Sequence, residues 1–358
     1  MTASDGATRL REIVGLARSR SASDVHLESG APPFARCGGT IERLPGSVLD
    51  RGDVDRISEE LLSSDARAAL LRDGDASTGI DRADIGRLRA HAYAASSGIC
   101  LALRLLPETV PSLEALALPS RVAEFARARH GLVIFTGPTG SGKTTSLAAF
   151  VDAINARQMR KIITIEDPVE YRLASRRSLV RQREIGRDVA DYGSAIHGAL
   201  RSDPDVIVIG EMRDPATIRA ALTAAETGHL VAATLHTSGA AATIARLADA
   251  FPPDERPQLR GQIADVLVGV VSQRLVPCID GGRRCVAEVL AGNDAVRAII
   301  RDGRLHQLRN VLSTSRDEGM QTFESALGLL VSSGDITPAT AVAFADVPKD
   351  LDSLAAAI

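Results

Sequence analysis

The segment from Gly137 to Thr144 has residue types and a spacing that suit phosphate chemistry. It fits the pattern G-x-x-x-x-G-K-[ST], between the apolar run Leu132–Phe135 and a helical pattern. Glycines let backbone amides face phosphate oxygens, and the following helix adds its positive end. Lys143 is placed to reach β- and γ-phosphates, and the Thr144 hydroxyl to ligate magnesium. The sequence therefore predicts a site for ATP and Mg²⁺, whose binding residues are Gly137, Pro138, Thr139, Gly140, Ser141, Gly142, Lys143, Thr144 and Thr145.

Acidic residues follow two further predicted strands, where they are suited to hydrolysis. The range Glu166–Glu170 comes directly after the apolar run 162–165 and contains three acids, and Glu211 follows the apolar run 206–209. Because the carboxyl ends of parallel strands meet at one edge of a sheet, we expect these carboxylates near the phosphates. One can hold a magnesium-bound water, and another can orient or deprotonate the attacking water. A single acid after a strand is more often a cap or a solvated turn, but two clusters in one domain favour catalysis.

Two histidines, His229 and His236, bracket the predicted strand Leu230–Leu235. A histidine at each end of an apolar strand near the expected γ-phosphate favours phosphate sensing over a purely structural role. Metal binding by the pair is not expected, because seven residues of extended strand separate two side chains by more than ~20 Å.

Two regions with different hydrophobic patterns must position these residues. An amphipathic helix near Arg9–Arg20 and short alternating strands predict a small α+β domain over residues 1–108, and prolines frame a linker over 109–113. Over residues 114–358, apolar strands alternate with helices as in parallel βαβ units, and the pattern becomes mainly helical from about Asp294. The predicted class is α/β, with a P-loop ATPase domain after the α+β domain and helices at the C-terminus.

Composition limits the classes of partner. The chain has 358 residues, a net charge of −3 and 3% aromatic residues, so nucleic-acid binding through basic patches and stacking rings is not expected. No apolar run approaches the roughly 18 residues of a membrane span, and the N-terminus lacks the apolar core of a signal peptide. The four cysteines are scattered, without a CxxC pair, which gives a zinc site little support. A cytoplasmic protein is predicted.

Four motifs, in order, resemble those of the secretion ATPase superfamily. Besides the loop at 137–144, residues 165–170 correspond to its acidic box, 203–214 to its Walker B motif and 227–237 to its histidine box. Within the superfamily, the chain resembles the type IV pilus retraction ATPases over about residues 23–340. The resemblance implies a homo-hexamer in which a PAS-like domain rests on the neighbouring RecA-like domain, with ATP between them. It also implies pilus retraction and twitching motility, driven at the cytoplasmic face of the inner membrane through a pilus platform protein.

The resemblance assigns roles to single residues. Glu170 corresponds to the catalytic base, Glu211 to the Walker B acid near magnesium and water, and His229 to the sensing histidine. Lys143 completes this catalytic set. Family arginines that reach the phosphates from the PAS-like domain correspond best to Arg87, Arg89 and Arg104. A guanidinium can grip phosphate oxygens bidentately, although strand arginines are more often only solvated.

Within the superfamily, the retraction branch is favoured because the sequence shows neither the longer N-terminal region nor the four-cysteine insertion of assembly and type II secretion ATPases. Residues 295–302 stand where this branch has a C-terminal helix motif, with Ala298 in place of its asparagine. His197 replaces an arginine expected near the nucleotide, and Gly198 loosens the same helix. An accessory or divergent retraction ATPase and an assembly or type II secretion ATPase stay open. From other classes, a nucleic-acid translocase and a non-hydrolysing nucleotide-gated adaptor also stay open.

Overall fold

The computed structural model describes residues 4–351, and the chain divides between Thr109 and Val110 into two units. The first unit combines three helices with a six-stranded antiparallel sheet of order β3-β2-β1-β6-β5-β4. The helices are α1 (Ser4–Ser19), α2 (Arg51–Leu61) and α3 (Ser64–Asp73). The strands are β1 (Ala22–Leu27), β2 (Phe34–Cys37), β3 (Thr40–Arg43), β4 (Asp75–Arg82), β5 (Gly86–Ala95) and β6 (Gly98–Leu105).

Alternation along the strands decides which face of the first sheet is buried. On β5, Leu88, Ala90 and Ala92 are fully buried, whereas Arg89 between them is exposed. The buried face joins apolar residues of all three helices in one core. The opposite face therefore carries the polar strand residues, as the period of two requires.

The second unit contains seven strands and ten helices among its described residues. The strands are β7 (Gly131–Thr136), β8 (Lys161–Glu166), β9 (Leu179–Glu184), β10 (Val206–Ile209), β11 (Leu230–Leu235), β12 (Leu267–Pro277) and β13 (Arg283–Ala291). The helices are α4 (Ser120–Phe125), α5 (Lys143–Arg157), α6 (Tyr192–Leu200), α7 (Pro215–Glu226), α8 (Ala240–Asp249), α9 (Arg256–Val266), α10 (Asp294–Arg301), α11 (Leu308–Thr314), α12 (Phe323–Ser332) and α13 (Pro338–Phe344).

The second sheet brings several chain segments to one edge. Its order is β13-β12-β7-β11-β10-β8-β9, and all neighbours are parallel except the antiparallel pair β12–β13. The carboxyl ends of β7, β8, β10 and β11 therefore share one edge, where the glycine loop, both acidic segments and the residue after β11 emerge. The four central strands are almost entirely buried, as continuous apolar runs in a parallel sheet predict.

The α/β class and the C-terminal helices predicted from the sequence are confirmed. The apolar runs at 132–135, 162–165, 206–209 and 230–235 lie in β7, β8, β10 and β11. Beyond Ala291, the described chain is helical apart from short connections. Within residues 4–351, no helix has the length and apolar character that a membrane span needs.

Candidate functional site at the loop edge of the sheet

The glycine loop connects the carboxyl end of β7 to the first turn of α5. Gly137 has a φ of 143°, and a Cβ atom there would lie 2.3 Å from the carbonyl oxygen of Gln273 on β12. Gly142, the N-cap of α5, has a φ of 90°. The first position requires glycine because the loop passes against β12, and the second because the turn uses the left-handed region. The loop thus meets the N-terminus of α5, where an anion is stabilised.

Lys143 is the first residue of α5 and its side chain is buried. Its ammonium group donates to the carbonyl oxygens of Gly137 and Pro138, each at 2.9 Å, and its Nζ lies 3.5 Å from Nδ1 of His236. Burial lowers the pKa of Lys143, and the Glu211 carboxylate opposes that shift. The loop therefore holds its lysine through backbone oxygens.

Glu211 follows β10, and its carboxylate contacts the side chains of His236 and Arg213. Its Oε1 lies 2.9 Å from Nε2 of His236, and its Oε2 accepts a hydrogen bond of 2.7 Å from Nε of Arg213. In the tautomer that these contacts favour, His236 donates from Nε2 to Glu211 and accepts at Nδ1 from Lys143. A continuous series of contacts from Lys143 through His236 to Glu211 therefore crosses the sheet edge beside the loop.

The structure places His229 and His236 at opposite ends of strand β11. Strands β7 and β11 are paired in parallel over their whole lengths, so His236 follows the end that adjoins the loop, whereas His229 precedes the other end. Nδ1 of His229 lies 3.0 Å from the carbonyl oxygen of Ala224 and 3.2 Å from Oγ1 of Thr227. A nucleotide on this chain's own loop is beyond its reach. Of the two histidines, His236 is the one beside the loop, and a sensing role for His229 stays a prediction.

The acidic segment after β8 is tied to α5 through Tyr171. The Tyr171 hydroxyl lies 3.0 Å from Oγ1 of Thr145, the residue after Thr144. Burial raises the pKa of Tyr171, so its hydroxyl stays protonated at neutral pH. Glu170 directly precedes Tyr171, and this contact therefore holds the backbone of Glu170 near the first turn of α5.

Strand β9 supports the acidic segment from its other side. Nε2 of Gln182 donates to Oε1 of Glu166 at 3.0 Å and to the carbonyl oxygen of Tyr171 at 2.8 Å. The Glu184 carboxylate accepts from the backbone N–H of Val169 at 3.1 Å. These positioning residues were not predicted, because their only sequence signal is their alternation along the polar strand.

The hairpin β12–β13 supports the segment after His236. Ser272 and Glu288 lie opposite each other in this hairpin. Oγ of Ser272 accepts from the N–H of Gly239 at 2.8 Å, and Oε1 of Glu288 accepts from the N–H of Ala240 at 2.7 Å. Together they cap the N-terminus of α8, whose free N–H groups would otherwise be buried without partners. Burial raises the pKa of Glu288 to about 7.

The three predicted arginines lie on the polar face of the first unit's sheet. Arg89 on β5 is paired directly with Arg104 on β6, and both are exposed. Nε of Arg104 donates to Asp24 at 3.1 Å. Arg87 lies two residues before Arg89 and so shares its face of β5. These arginines belong to the unit that lacks the loop, and their contact with a nucleotide stays a prediction.

Oxygen atoms at the loop fit a magnesium–nucleotide complex. Among residues 4–351, the buried Oγ of Ser141 at the loop has no hydrogen-bond partner. The described residues contain no cluster of three His, Cys, Asp or Glu side chains that could bind a metal. Mg²⁺ needs no such cluster, because it is usually held by one or two protein oxygens, phosphates and water. That Thr144 and Glu211 hold the ion stays a prediction.

Comparisons with known proteins agree over most of the chain. A family model described as "Type II/IV secretion system protein" matches residues 72–334. A protein of Escherichia coli (strain K12) named "Uncharacterized protein YggR" is 45% identical, over 91% of this chain and 99% of its own length. The type IV pilus retractation ATPase PilT of Pseudomonas aeruginosa is 37% identical, over 95% of this chain and 99% of its own. A crystal structure of the pilus retraction motor PilT with bound ADP has a TM-score of 0.88 and 40% identity, covering 96% of this chain and 98% of that one.

Proposed function

This chain belongs to the type II/IV secretion system protein family, and we propose that it is a hexameric motor that hydrolyses ATP to drive type IV pilus retraction. The predicted resemblance to pilus retraction ATPases is confirmed by the near full-length matches to PilT. The observation that carries the mechanism is the meeting of Lys143, His236 and Glu211 beside the glycine loop. These contacts support the assignment of binding and hydrolytic groups to one edge of one sheet.

In this proposal, the loop residues from Gly137 to Thr145 hold the phosphates of ATP. Backbone amides and the N-terminus of α5 face the phosphate oxygens, and Lys143 exchanges its two loop carbonyls for the β- and γ-phosphates. The Thr144 hydroxyl and the Glu211 carboxylate hold Mg²⁺, directly or through its water. When bound, Mg²⁺ neutralises charge on the phosphate oxygens and makes the γ-phosphorus more electrophilic.

Hydrolysis is assigned to carboxylates that the sheet brings to the loop. Glu170 acts as the base that accepts a proton from the attacking water, since Tyr171 holds its backbone beside α5. His236 contacts both Lys143 and Glu211, so a change at the γ-phosphate is passed from the lysine to the Walker B acid. This connection gives His236 the sensing role that the sequence analysis assigned to His229.

Mechanical output requires neighbouring subunits. We propose that Arg87, Arg89 and Arg104 of the first unit reach a nucleotide bound in a homo-hexamer, because a pair of exposed arginines on adjacent strands can grip phosphate oxygens. ATP binding then closes one unit on another, and hydrolysis releases it. The motor works in the cytoplasm at the inner-membrane base of the pilus, through a platform protein.

A specific observation supports an accessory or divergent retraction ATPase as a second candidate. In the helix α10, Arg297 donates to four backbone carbonyl oxygens, of Gly292, Ala264, Asp265 and Leu267, so its guanidinium stabilises the fold. Ala298, where the retraction motif has asparagine, is one of the exposed positions on this helix. The change therefore affects the surface that a partner would meet and leaves the supporting contacts intact.

Complementation separates these two candidates. The chain would be expressed in a Pseudomonas aeruginosa strain that lacks PilT, with Lys143→Ala as the inactive control, and surface pili and twitching would be measured. A retraction motor restores twitching and reduces excess pili, whereas the control does neither. Normal ATPase activity without complementation supports the accessory role. ATP hydrolysis that DNA stimulates would instead revive a translocase, and absence of phosphate release would revive an adaptor.

A further inference from the structure

A second concave site lies at the far side of the sheet from the glycine loop. It is a cleft of about 520 Å³ between the strands β8 and β9 and the helix α6. Three strands, β11, β10 and β8, separate β9 from β7, so the cleft is roughly 19 Å from the loop strand at ~4.8 Å per strand. The cleft is partly open to solvent. The proposed motor mechanism does not use it.

Three cations line this cleft: Lys161 on β8, and Arg181 and Arg183 on β9. The parallel register places Lys161 opposite Leu179, and the period of two then brings all three cations to one face of the two strands. Alternate residues on a strand lie about 7 Å apart, so the positive charges form a row. A row of three positive charges fits an anion with several linked charged groups better than an anion with a single charged group.

Carboxylates neutralise this row only in part, because the Asp188 carboxylate attracts Arg183 as well as Arg187. Within the described chain, Arg181 donates to the carbonyl oxygen of Val180 at 2.9 Å and Arg183 to that of Asp188 at 3.4 Å, and neither forms an ion pair. The Asp188 carboxylate pairs with Arg187. Oδ2 of Asp205 accepts from the backbone N–H of Lys161 at 2.7 Å. In contrast, Arg219 and Arg256 in the same unit each pair with an acid.

The cleft has room beside Arg183 because Gly198 of α6 has no side chain. A Cβ atom at Gly198 would lie 3.4 Å from Nη1 of Arg183, so any larger side chain there would project beside the guanidinium. Glycine in a helix costs about 1 kcal/mol relative to alanine. Beside it, the Ser202 hydroxyl donates to the Gly198 carbonyl oxygen at 3.0 Å, and its oxygen can still accept a bond. Buried Ile163 closes the floor of the cleft.

We propose that this cleft binds a small anion that carries two or more linked phosphate groups. Two guanidinium groups offer bidentate donors to phosphate oxygens, and the lysine adds a third positive charge. The linked phosphates extend along β9, and Ile163 excludes water beneath them. Inorganic pyrophosphate represents the free ligand class, and ADP represents the same diphosphate chemistry attached to a nucleoside.

The test measures ligand bound per chain by equilibrium dialysis of the full chain. In the first arm, labelled pyrophosphate is added while saturating ADP and Mg²⁺ occupy the glycine loop. In the second arm, the number of ADP molecules per chain is counted without pyrophosphate. Both arms compare the wild type with Arg181→Gln/Arg183→Gln and with Gly198→Leu, which fills the cleft and removes no charge. The control variant Arg157→Gln/Arg246→Gln removes the same charge from exposed positions elsewhere.

We expect the wild type and the control to bind one pyrophosphate in addition to loop ADP, and both cleft variants to bind it at least tenfold more weakly. A second ADP per chain that both cleft variants lose supports the nucleoside-linked form. Loop binding of ADP must be unchanged, which shows that the variants are folded. Absence of any second ligand, or equal affinity in all variants, overturns the proposal. A change in oligomeric state without ligand binding also overturns it, because the arginines then serve contacts between copies.

Discussion

The buried carboxyl of Glu288 makes the stability of the second unit depend on pH. Its side chain is 5% exposed, and burial, aided by the Asp346 and Glu324 carboxylates, raises its pKa from the ordinary 4.5 to about 7. The hydrogen bond from the backbone of Ala240 opposes this shift and does not cancel it. The folded protein therefore holds a proton on Glu288 that the unfolded chain releases at lower pH.

The sign of the effect follows from this difference in proton binding. Because the folded pKa exceeds the unfolded one, Glu288 contributes most stability below pH 4.5, and the contribution is lost as pH rises through about 7. With this pKa shift, the free energy of unfolding is about 3 kcal/mol lower when Glu288 is charged than when it is protonated. Glutamine retains an oxygen acceptor for the N–H of Ala240 and cannot ionise. Glu288→Gln should therefore remove the pH-dependent loss.

This prediction is tested by thermal unfolding of the full chain without nucleotide between pH 5 and pH 8.5. The transition of the second unit is followed. The Tm of Glu288→Gln should be close to that of the wild type at pH 5 and exceed it by roughly 6–12 °C at pH 8.5, from 2–4 °C per kcal/mol in a unit of this size. Glu226→Gln, at an exposed site on α7, is the control and should give a constant offset. Parallel Tm curves for Glu288→Gln and the wild type would contradict a raised pKa of Glu288 in the folded protein.

Phosphate release by the purified chain tests the site assignments. Lys143→Ala should abolish turnover, because no other cation of the loop reaches the phosphates; a normal rate would contradict the loop assignment. Glu170→Gln and Glu211→Ala should each lower turnover at least a hundredfold, the usual scale for a lost base or metal-water acid, and a change below threefold would remove that residue from the mechanism. His236→Ala should lower turnover, whereas His229→Ala, at the opposite sheet edge, should leave it within about twofold. The reverse order would return the sensing role to His229.

The loop edge of the second sheet was predictable because its signals are local. A buried apolar strand, a glycine loop and a helix start follow one another within residues 131–157, so the sequence alone places Lys143 and Thr144. The acids after β8 and β10 follow from the same parallel topology. The same topology separates the two histidines in space, since a residue after a parallel strand lies at the loop edge and a residue before it does not. From the residues alone both histidines were candidates, and the choice of His229 came from the family resemblance.

The supporting residues could not be predicted because they depend on the order of strands in space. Gln273 and Glu288 are more than a hundred residues from the glycine loop, and their roles arise because β12 pairs with β7 and β13 with β12. A buried glutamate on an apolar strand gives no sign of which helix it caps. The row formed by Lys161, Arg181 and Arg183 is hidden for the same reason, since two strands and one helix must first be brought together.

The two hydrogen bonds that Lys143 donates to its own loop determine how strongly an anion must attract the ammonium group in order to bind it. An incoming anion competes with the carbonyl oxygens of Gly137 and Pro138, which already satisfy two of the three donors of the ammonium. A monovalent anion offers little more than these dipoles, whereas the β- and γ-phosphates offer several full charges at once. We therefore expect chloride to compete poorly with the two carbonyl oxygens for Lys143, whereas the phosphates of a nucleotide triphosphate compete well.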